Sequence, residues 1–228
     1  MTRAWPRGFF VTGTDTGVGK THVSVALLQA LARSGARVVG MKPVASGCEL
    51  KDGRLVNEDA MLLWRAGNVD AQYAEVNPYA FAPAIAPHAA AAAAGVAIDL
   101  ESLRSQFDAL AARADCVVVE GAGGWRVPLG PGFGMADLAA RLELPVLLVV
   151  GMRLGCLNHA LLTAESIAAR GLRLAGWIAN DPGPPMEARA ASVLALRERL
   201  PAPCIADLAW RVPAPLESIA SHCLAISF

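Results

Sequence analysis

Six short, nearly unbroken apolar runs recur along the chain: GFFVTG (8–13), RVVGMKPV (37–44), DCVVVEG (115–121), PVLLVVG (145–151), LAGWIAN (174–180) and, more weakly, APCIADL (202–208). Apolar and polar residues do not alternate within them, which is how strands covered on both faces read. Segments of helical period lie between them, at about 20–34, 58–67, 99–113, 135–142, 156–170 and 186–199. Alternating strands and helices predict an α/β fold, a parallel sheet flanked by helices and joined by right-handed crossovers. Such sheets carry their sites at the carboxyl ends of the strands. Polar residues gather there: Thr14 and Asp15 after the first run, Lys42 and Ser46 at the second, Glu120 at the third, Asn180 and Asp181 at the fifth.

The stretch 68–98 breaks the rhythm with Pro78, Pro83 and Pro87, and reads as a long connection covering one edge of the site. Its alanine run, 89–94, is either a short helix or low complexity. The tail after Pro201 is expected to be irregular before a last short helix at about 215–223. No repeat or linker divides the chain, so 1–228 is expected to form one domain.

Composition narrows the classes. Hydrophobic residues make up 54% and charged residues 18%, which argues against disorder. Lys plus Arg and Asp plus Glu both number 20, so no general affinity for nucleic acid is implied. No apolar stretch approaches the ~20 residues of a membrane span, and no secretory leader is evident. Five cysteines without a C-x-x-C pattern fit a reducing, cytoplasmic setting.

The loop in FFVTGTDTGVGKTHVSVALLQAL carries the chemistry. A strand, a Gly-rich turn and a helix start present backbone N–H groups to phosphate. Aligned on Gly19-Lys20-Thr21, the P-loop pattern G-x-x-x-x-G-K-[ST] departs only at its first slot, which holds Thr14. Gly17 keeps the backbone open. Lys20 is expected to reach the β- and γ-phosphates, and the Thr21 hydroxyl to ligate Mg²⁺. A P-loop NTPase-like sheet is therefore expected. In dimeric ATPases of the septum-site and nitrogenase-iron-protein type a second lysine follows the first slot, and Asp15 stands there instead.

Two carboxylates are candidates to complete a Mg²⁺ site. Glu120 ends an apolar strand, where an acid is unfavourable unless paired or metal-bound; otherwise it is a cap or a solvated acid. Asp59, in VNEDAML, is either a second ligand or a cap for the following helix. Lys42, in GMKPVASG, is held at a strand end by Pro43. It is either a solvated lysine or a second positive charge for a transferring phosphoryl group or an anionic acceptor. Ser46 and the bare backbone of EGAGGW are candidate donors beside it.

FVTGTDTGVGKT, GMKPVASG, VNPYAF, VEGAGGW, PVLLVVGMRLGCLNHALLT and LAGWIAND occur in this order, from about residue 8 to 181, with a fainter match in LPAPCIADLAW. Together they resemble the dethiobiotin synthetase family, and the combination is far more specific than any one block. The resemblance implies a Mg²⁺-dependent homodimer that uses ATP, CO₂ and 7,8-diaminononanoate. One amine becomes a carbamate, ATP phosphorylates it, and the second amine closes a cyclic urea as phosphate leaves. It implies catalytic roles for Lys42 and Lys20, and Mg²⁺ held by Thr21, Asp59 and Glu120. ATP would lie on Gly17, Val18, Gly19, Lys20, Thr21 and His22, near Asp59, Glu120, Gly121, Ala122 and Gly123. Its base would lie by Asn180 and Asp181 and, less firmly aligned, Ala209, Trp210 and Arg211. The diamine would meet Thr16, Ser46 and Gly123, with Asn158 reaching it from the neighbouring subunit.

Some family members carry Glu at Gly17 and Lys at Arg153, the latter an exchange of small expected consequence. Two rival readings are another P-loop amide-forming synthase and a regulatory ATPase that works by dimer switching. Cobyrinic acid amidases usually carry a glutamine-hydrolysing domain, for which this length leaves no room, and Asp15 speaks against the switching ATPase.

Overall fold

The computed structural model describes residues 6–212 together with 214, 219 and 221. Among them, six strands form the main sheet: β1 (Gly8–Gly13), β2 (Val38–Met41), β3 (Cys116–Glu120), β4 (Val146–Gly151), β5 (Leu174–Asn180) and β6 (Cys204–Leu208). Their spatial order is β6-β5-β4-β1-β3-β2, and every neighbouring pair is parallel. The helices are α1 (Lys20–Arg33), α2 (Glu58–Ala66), α3 (Tyr73–Val76), α4 (Pro87–Ala93), α5 (Leu100–Ala111), α6 (Met135–Leu142), α7 (Cys156–Ala168) and α8 (Arg189–Arg199).

The unbroken apolar strands have a direct cause. Successive side chains point to opposite faces, and both faces are covered. Phe10, Val117 and Val119 pack with Phe107, Leu103 and Leu138 of α5 and α6. Phe9, Val11, Val118 and Val149 pack with Leu27, Leu28 and Leu31 of α1. Leu148, Val150 and Trp177 pack with Ala160 and Leu196 of α7 and α8. The register sets Val11 beside Glu120 and Gly151 beside Asn180, so the polar strand ends share one edge.

The second run is shorter than its apolar length suggests. Pro43 has no N–H to give a ladder, and the chain leaves the sheet at Lys42, whose N–H donates to the Val76 carbonyl at 2.7 Å. Val44–Ser46 then pairs with Tyr79–Phe81 in a small parallel ribbon. The stretch 68–98 is more regular than expected, since it contains α3, that ribbon strand and α4. The alanine run is helical, started by Pro87, whose missing N–H is harmless in a first turn. A hairpin joins Glu49–Lys51 to Arg54–Val56 through Asp52-Gly53, both with positive φ (50° and 76°). Asp-Gly favours such a turn, and the signal is present in the sequence. A second hairpin pairs Pro128–Gly130 with Phe133–Gly134. The expected last helix at about 215–223 falls outside the described residues, save for 219 and 221. Among the described residues no helix is long and apolar enough to cross a membrane.

Candidate active site

The loop after β1 is pinned at both ends. The Thr14 N–H donates to the Val149 carbonyl at 3.0 Å, and the Gly151 N–H donates to Thr14 Oγ1 at 3.3 Å. Thr14 thus ties the loop to β4, a contact a glycine at this slot lacks. The close approach falls one residue earlier: a Cβ on Gly13 would lie 2.6 Å from Val18 Cγ2. Gly19 has φ 91° and sits against Asn180, where a Cβ would lie 2.2 Å from Nδ2. That Nδ2 donates to the Val18 carbonyl at 2.8 Å, so the end of β5 buttresses the loop from below.

Lys20 is buried and donates to the Asp15 carbonyl at 3.0 Å. Burial, and then the positive charge of Lys42, bring its ammonium down to about 8 from the ordinary 10.5. Lys42 lies deep between carboxylates. Its Nζ donates to Glu120 Oε1 at 2.5 Å and Asp59 Oδ2 at 3.2 Å, with the Gly121 carbonyl at 3.5 Å. Burial alone pulls this lysine down, but the Glu120 and Asp59 charges and hydrogen bonds outweigh it and hold it above the ordinary value. Burial likewise pushes Asp59 up, and the Lys42 charge overrides it, so Asp59 sits below the usual carboxylate range.

Glu120 is fully buried. Its Oε1 also accepts from Thr21 Oγ1 at 3.0 Å, while Oε2 is buried without a partner among the described residues. The helix cap that Asp59 was a candidate for is Asn57, whose side chain accepts from the Ala60 N–H at 3.1 Å. The Asp59 carboxylate is thereby left to face Lys42. Among the described residues no three His, Cys, Asp or Glu side chains form a metal-holding group by themselves. A cation here would take the rest of its shell from phosphate and water, as Mg²⁺ does.

Of these groups Lys20, Thr21, Lys42 and Asp59 line a cavity of about 750 Å³, and the fully buried Glu120 does not. Thr16, Gly17, Gly19, Lys20, Thr21, Lys42, Ser46, Asp59, Ala122 and Gly123 all face it. Ser46 Oγ is buried without a hydrogen-bond partner among the described residues. Ala84 to Pro87 form an apolar wall, so the 68–98 connection does border the site.

The remaining candidates lie apart from this cavity. His22 is exposed on the first turn of α1. Asp181 is buried and bidentate to Arg189 Nε at 2.7 and 2.8 Å. Arg189 also pairs with Asp207, and these hydrogen bonds, the Asp207 one foremost, raise the guanidinium above its ordinary value. Ala209, Trp210 and Arg211 follow β6, with the Arg211 guanidinium 4.3 Å from the Trp210 ring centroid. Asn158 is exposed on α7, near the exposed Leu154, Leu157 and Leu162. Arg153 pairs with Asp15 of the phosphate loop, a contact sequence reasoning did not anticipate. Asn57, Tyr73, Asn77 and Arg189 were also missed. Only Asn57, just before the acidic first turn of α2, carried a local signal, that of a cap.

A parallel sheet with a phosphate loop after its central strand, and two buried lysines over one cavity, defines a P-loop NTPase-like α/β protein. Solved structures agree on the fold. The MinC:MinD cell division complex of Aquifex aeolicus aligns over 94% of this chain and 85% of that one, at TM-score 0.56 and 16% identity. The cell division protein FtsY of Thermotoga maritima aligns over 96% and 68%, at TM-score 0.51 and 16% identity. A family described as an AAA domain matches residues 7–213. Within that class the chain belongs to the ATP-dependent dethiobiotin synthetase family. The synthetase BioD of Aromatoleum aromaticum is 54% identical over 200 residues, 88% of this chain and 89% of that protein. Those of Xanthomonas oryzae pv. oryzae (52% over 206 residues, covering 90% and 92%) and Xanthomonas campestris pv. campestris (51% over 214 residues, covering 94% and 96%) are similarly close.

Proposed function

We propose that this protein is an ATP-dependent ligase that closes 7,8-diaminononanoate and CO₂ into the cyclic urea of dethiobiotin, releasing ADP and phosphate. The observation that carries the reading is the pairing of Lys20 in the phosphate loop with Lys42 at the neighbouring strand end, over one cavity. In this reading one amine adds to CO₂, loses a proton and becomes a carbamate. A carbamate oxygen attacks the γ-phosphorus and ADP leaves. The second amine attacks the carbonyl carbon of the mixed anhydride, phosphate departs with the C–O bond, and the ring closes.

A carbamate is a weak, short-lived nucleophile, so positive charge and alignment matter more than a strong base. Lys20 covers the β- and γ-phosphates. Lys42 spans carbamate and γ-phosphate once those anions compete with Glu120 and Asp59 for its ammonium. Thr16, Ser46 and Gly123 bind the diamine; the unpartnered Ser46 hydroxyl supports this. The apolar wall at Ala84–Pro87 suits an aliphatic chain.

Thr21, Asp59 and Glu120 would hold Mg²⁺; the buried, unpartnered Glu120 Oε2 supports this, as does an all-oxygen donor set. When bound there, the ion would neutralise charge on the phosphate oxygens. Gly17, Val18, Gly19, His22, Gly121 and Ala122 complete the nucleotide site. Asn180, Asp181, Ala209, Trp210 and Arg211 belong to its base end. There the Asn180 amide has one donor on Val18 and its oxygen left to read a base. A homodimer is part of the reading, with Asn158 serving the partner's site. The exposed Leu154, Leu157 and Leu162 around it support a covered face. Five cysteines without a C-x-x-C pattern support a cytoplasmic setting.

The test is ADP release with and without the diamine and bicarbonate. Turnover that depends on both is expected, and turnover indifferent to both sinks the reading.

A further inference from the structure

The VNPYAF block supplies no side chain to the reaction just described, yet its Asn77 is 4% exposed and fully engaged. Asn77 Nδ2 donates to the Lys42 carbonyl at 2.7 Å and to the Tyr79 carbonyl at 3.3 Å. Asn77 Oδ1 accepts from the Tyr73 hydroxyl at 3.2 Å. That hydroxyl accepts from the Asn57 N–H at 2.8 Å. Asn57 caps α2, and Asp59, in the first turn of α2, returns to Lys42 Nζ at 3.2 Å. The path is a closed ring: it leaves Lys42 through its backbone carbonyl and comes back to its ammonium.

The ring exists because Pro43 ends the ladder. Outside the sheet, the Lys42 carbonyl has no strand partner, and a buried carbonyl needs one. The Lys42 N–H and C=O both bond to the segment around α3, to the Val76 carbonyl and the Asn77 amide. The other end of α2 is tied to the same segment. Trp64 Nε1 donates to the Ala71 carbonyl at 2.7 Å, and its ring meets Tyr73 edge-on at 6.0 Å. Neither Tyr73 nor Asn77 lines the cavity. A lysine ammonium sits on a flexible stem, so its location is only as defined as the backbone beneath it and the partners at its tip.

We infer that Tyr73 and Asn77 are positioning residues for phosphoryl transfer, holding the backbone of Lys42 and the helix that carries Asp59 in one fixed relation from outside the cavity. The inference rests on the proposed role of Lys42. Small displacements of a charge aimed at a transition state lower kcat with little effect on ground-state binding.

The test is a double-mutant cycle on the full chain, read as steady-state ADP release with saturating ATP, diamine and bicarbonate. Tyr73→Phe is expected to lower kcat about tenfold and leave the KM for ATP within about twofold, because the phosphate loop is untouched. In a Lys42→Gln background the same change is expected to alter kcat by less than about twofold, since the group it positions is gone. Equal losses in both backgrounds would show a merely structural role and overturn the inference, as would wild-type kcat in Tyr73→Phe. If Tyr73→Phe does not fold, Asn77→Ser runs the same cycle with the same expectation. If neither folds, the ring is a folding requirement and the inference fails. Near-normal turnover in Lys42→Gln alone would instead remove the phosphoryl-transfer role on which the inference rests.

Discussion

The phosphate loop and the β2–β3 edge each bring one buried lysine to the same cavity, and they hold it by different means. Lys20 is held by backbone: its ammonium touches the Asp15 carbonyl and, among the described residues, pairs with no carboxylate in direct contact. Lys42 is held by charge, between Glu120 and Asp59. Their proton affinities diverge accordingly, Lys20 falling to about 8 and Lys42 rising. The loop awaits an anion to stabilise its charge, whereas the edge already carries its counter-charges. On the proposed roles, an arriving phosphate therefore does different work at each. At Lys20 it supplies the missing partner; at Lys42 it must compete for a lysine already paired.

The largest expected effect tests the Lys42 side of that contrast. Lys42→Gln is expected to lower kcat at least ~10²-fold with the fold retained, since in the proposed mechanism it removes a charge aimed at the phosphoryl group. Near-normal turnover, measured as ADP release, would remove Lys42 from the chemistry and reduce the edge to a structural ion pair.

Glu120→Gln comes next. It neutralises the nearest partner of Lys42 and alters the carboxylate that accepts from Thr21. A drop in kcat of about 10- to 100-fold is expected, with a higher Mg²⁺ concentration for half-activation. The fold is expected to weaken too, because breaking a buried pair leaves a buried charge, typically at a cost of about 3–5 kcal/mol. Asp59 remains beside Lys42 and softens that loss. Asp59→Asn is expected to shift the Mg²⁺ response in the same direction by less. A Mg²⁺ titration unchanged in both variants would refute the metal assignment.

The two regions also differed in how far the sequence revealed them. The loop is local: strand, turn, Lys-Thr and helix are contiguous, and continuous apolar runs follow from a sheet covered on both faces. The edge is assembled from residues 42, 57, 59, 73, 77 and 120. Lys42 and Glu120 were legible because they end apolar strands, where a charge needs a reason. The sequence leaves the role of Asp59 open, and the structure makes Asn57 the cap. Tyr73 and Asn77 were invisible because their partners lie far off in sequence, the Lys42 carbonyl being 35 residues from Asn77. The Asp181–Arg189–Asp207 cluster was hidden for the same reason, as it joins two strand ends and a helix start.

A pH titration of ATP affinity sharpens the Lys20 side. Below about 8 the free protein already carries the Lys20 charge, so binding should be insensitive to this group. Above 8 the free lysine is increasingly neutral, and bound phosphate must draw a proton back. Affinity is expected to fall by up to about tenfold per pH unit until the bound-state value is reached. Calorimetry in buffers of different ionisation enthalpy should show proton uptake on binding near pH 8 to 9. The same shift bears on the ligand-free fold. Between about 8 and 10.5 the unfolded chain keeps a proton that native Lys20 has lost, so this residue destabilises less as pH rises through that window. Lys42 is shifted the other way, so its own contribution to stability is fully present below 10.5 and is lost only as pH rises through its higher folded value. A flat ATP affinity from pH 7 to 9.5 would mean that the loop supplies a counter-charge after all, and the contrast would collapse.

The smallest effect is expected at the rim of the loop, where Arg153 pairs with Asp15. Both side chains are 48% exposed, and such pairs contribute about 0–1 kcal/mol once solvent and side-chain entropy are counted. The loop does not depend on it. Thr14 ties the loop to β4, and Asn180 supports it from β5. Arg153→Ala is therefore expected to change kcat and the KM for ATP by less than about twofold, with any effect fading further in salt. A tenfold rise in KM would show that the loop is held by charge at its rim, as Lys42 is in the interior, and the division between a backbone-held and a charge-held lysine would have to be redrawn.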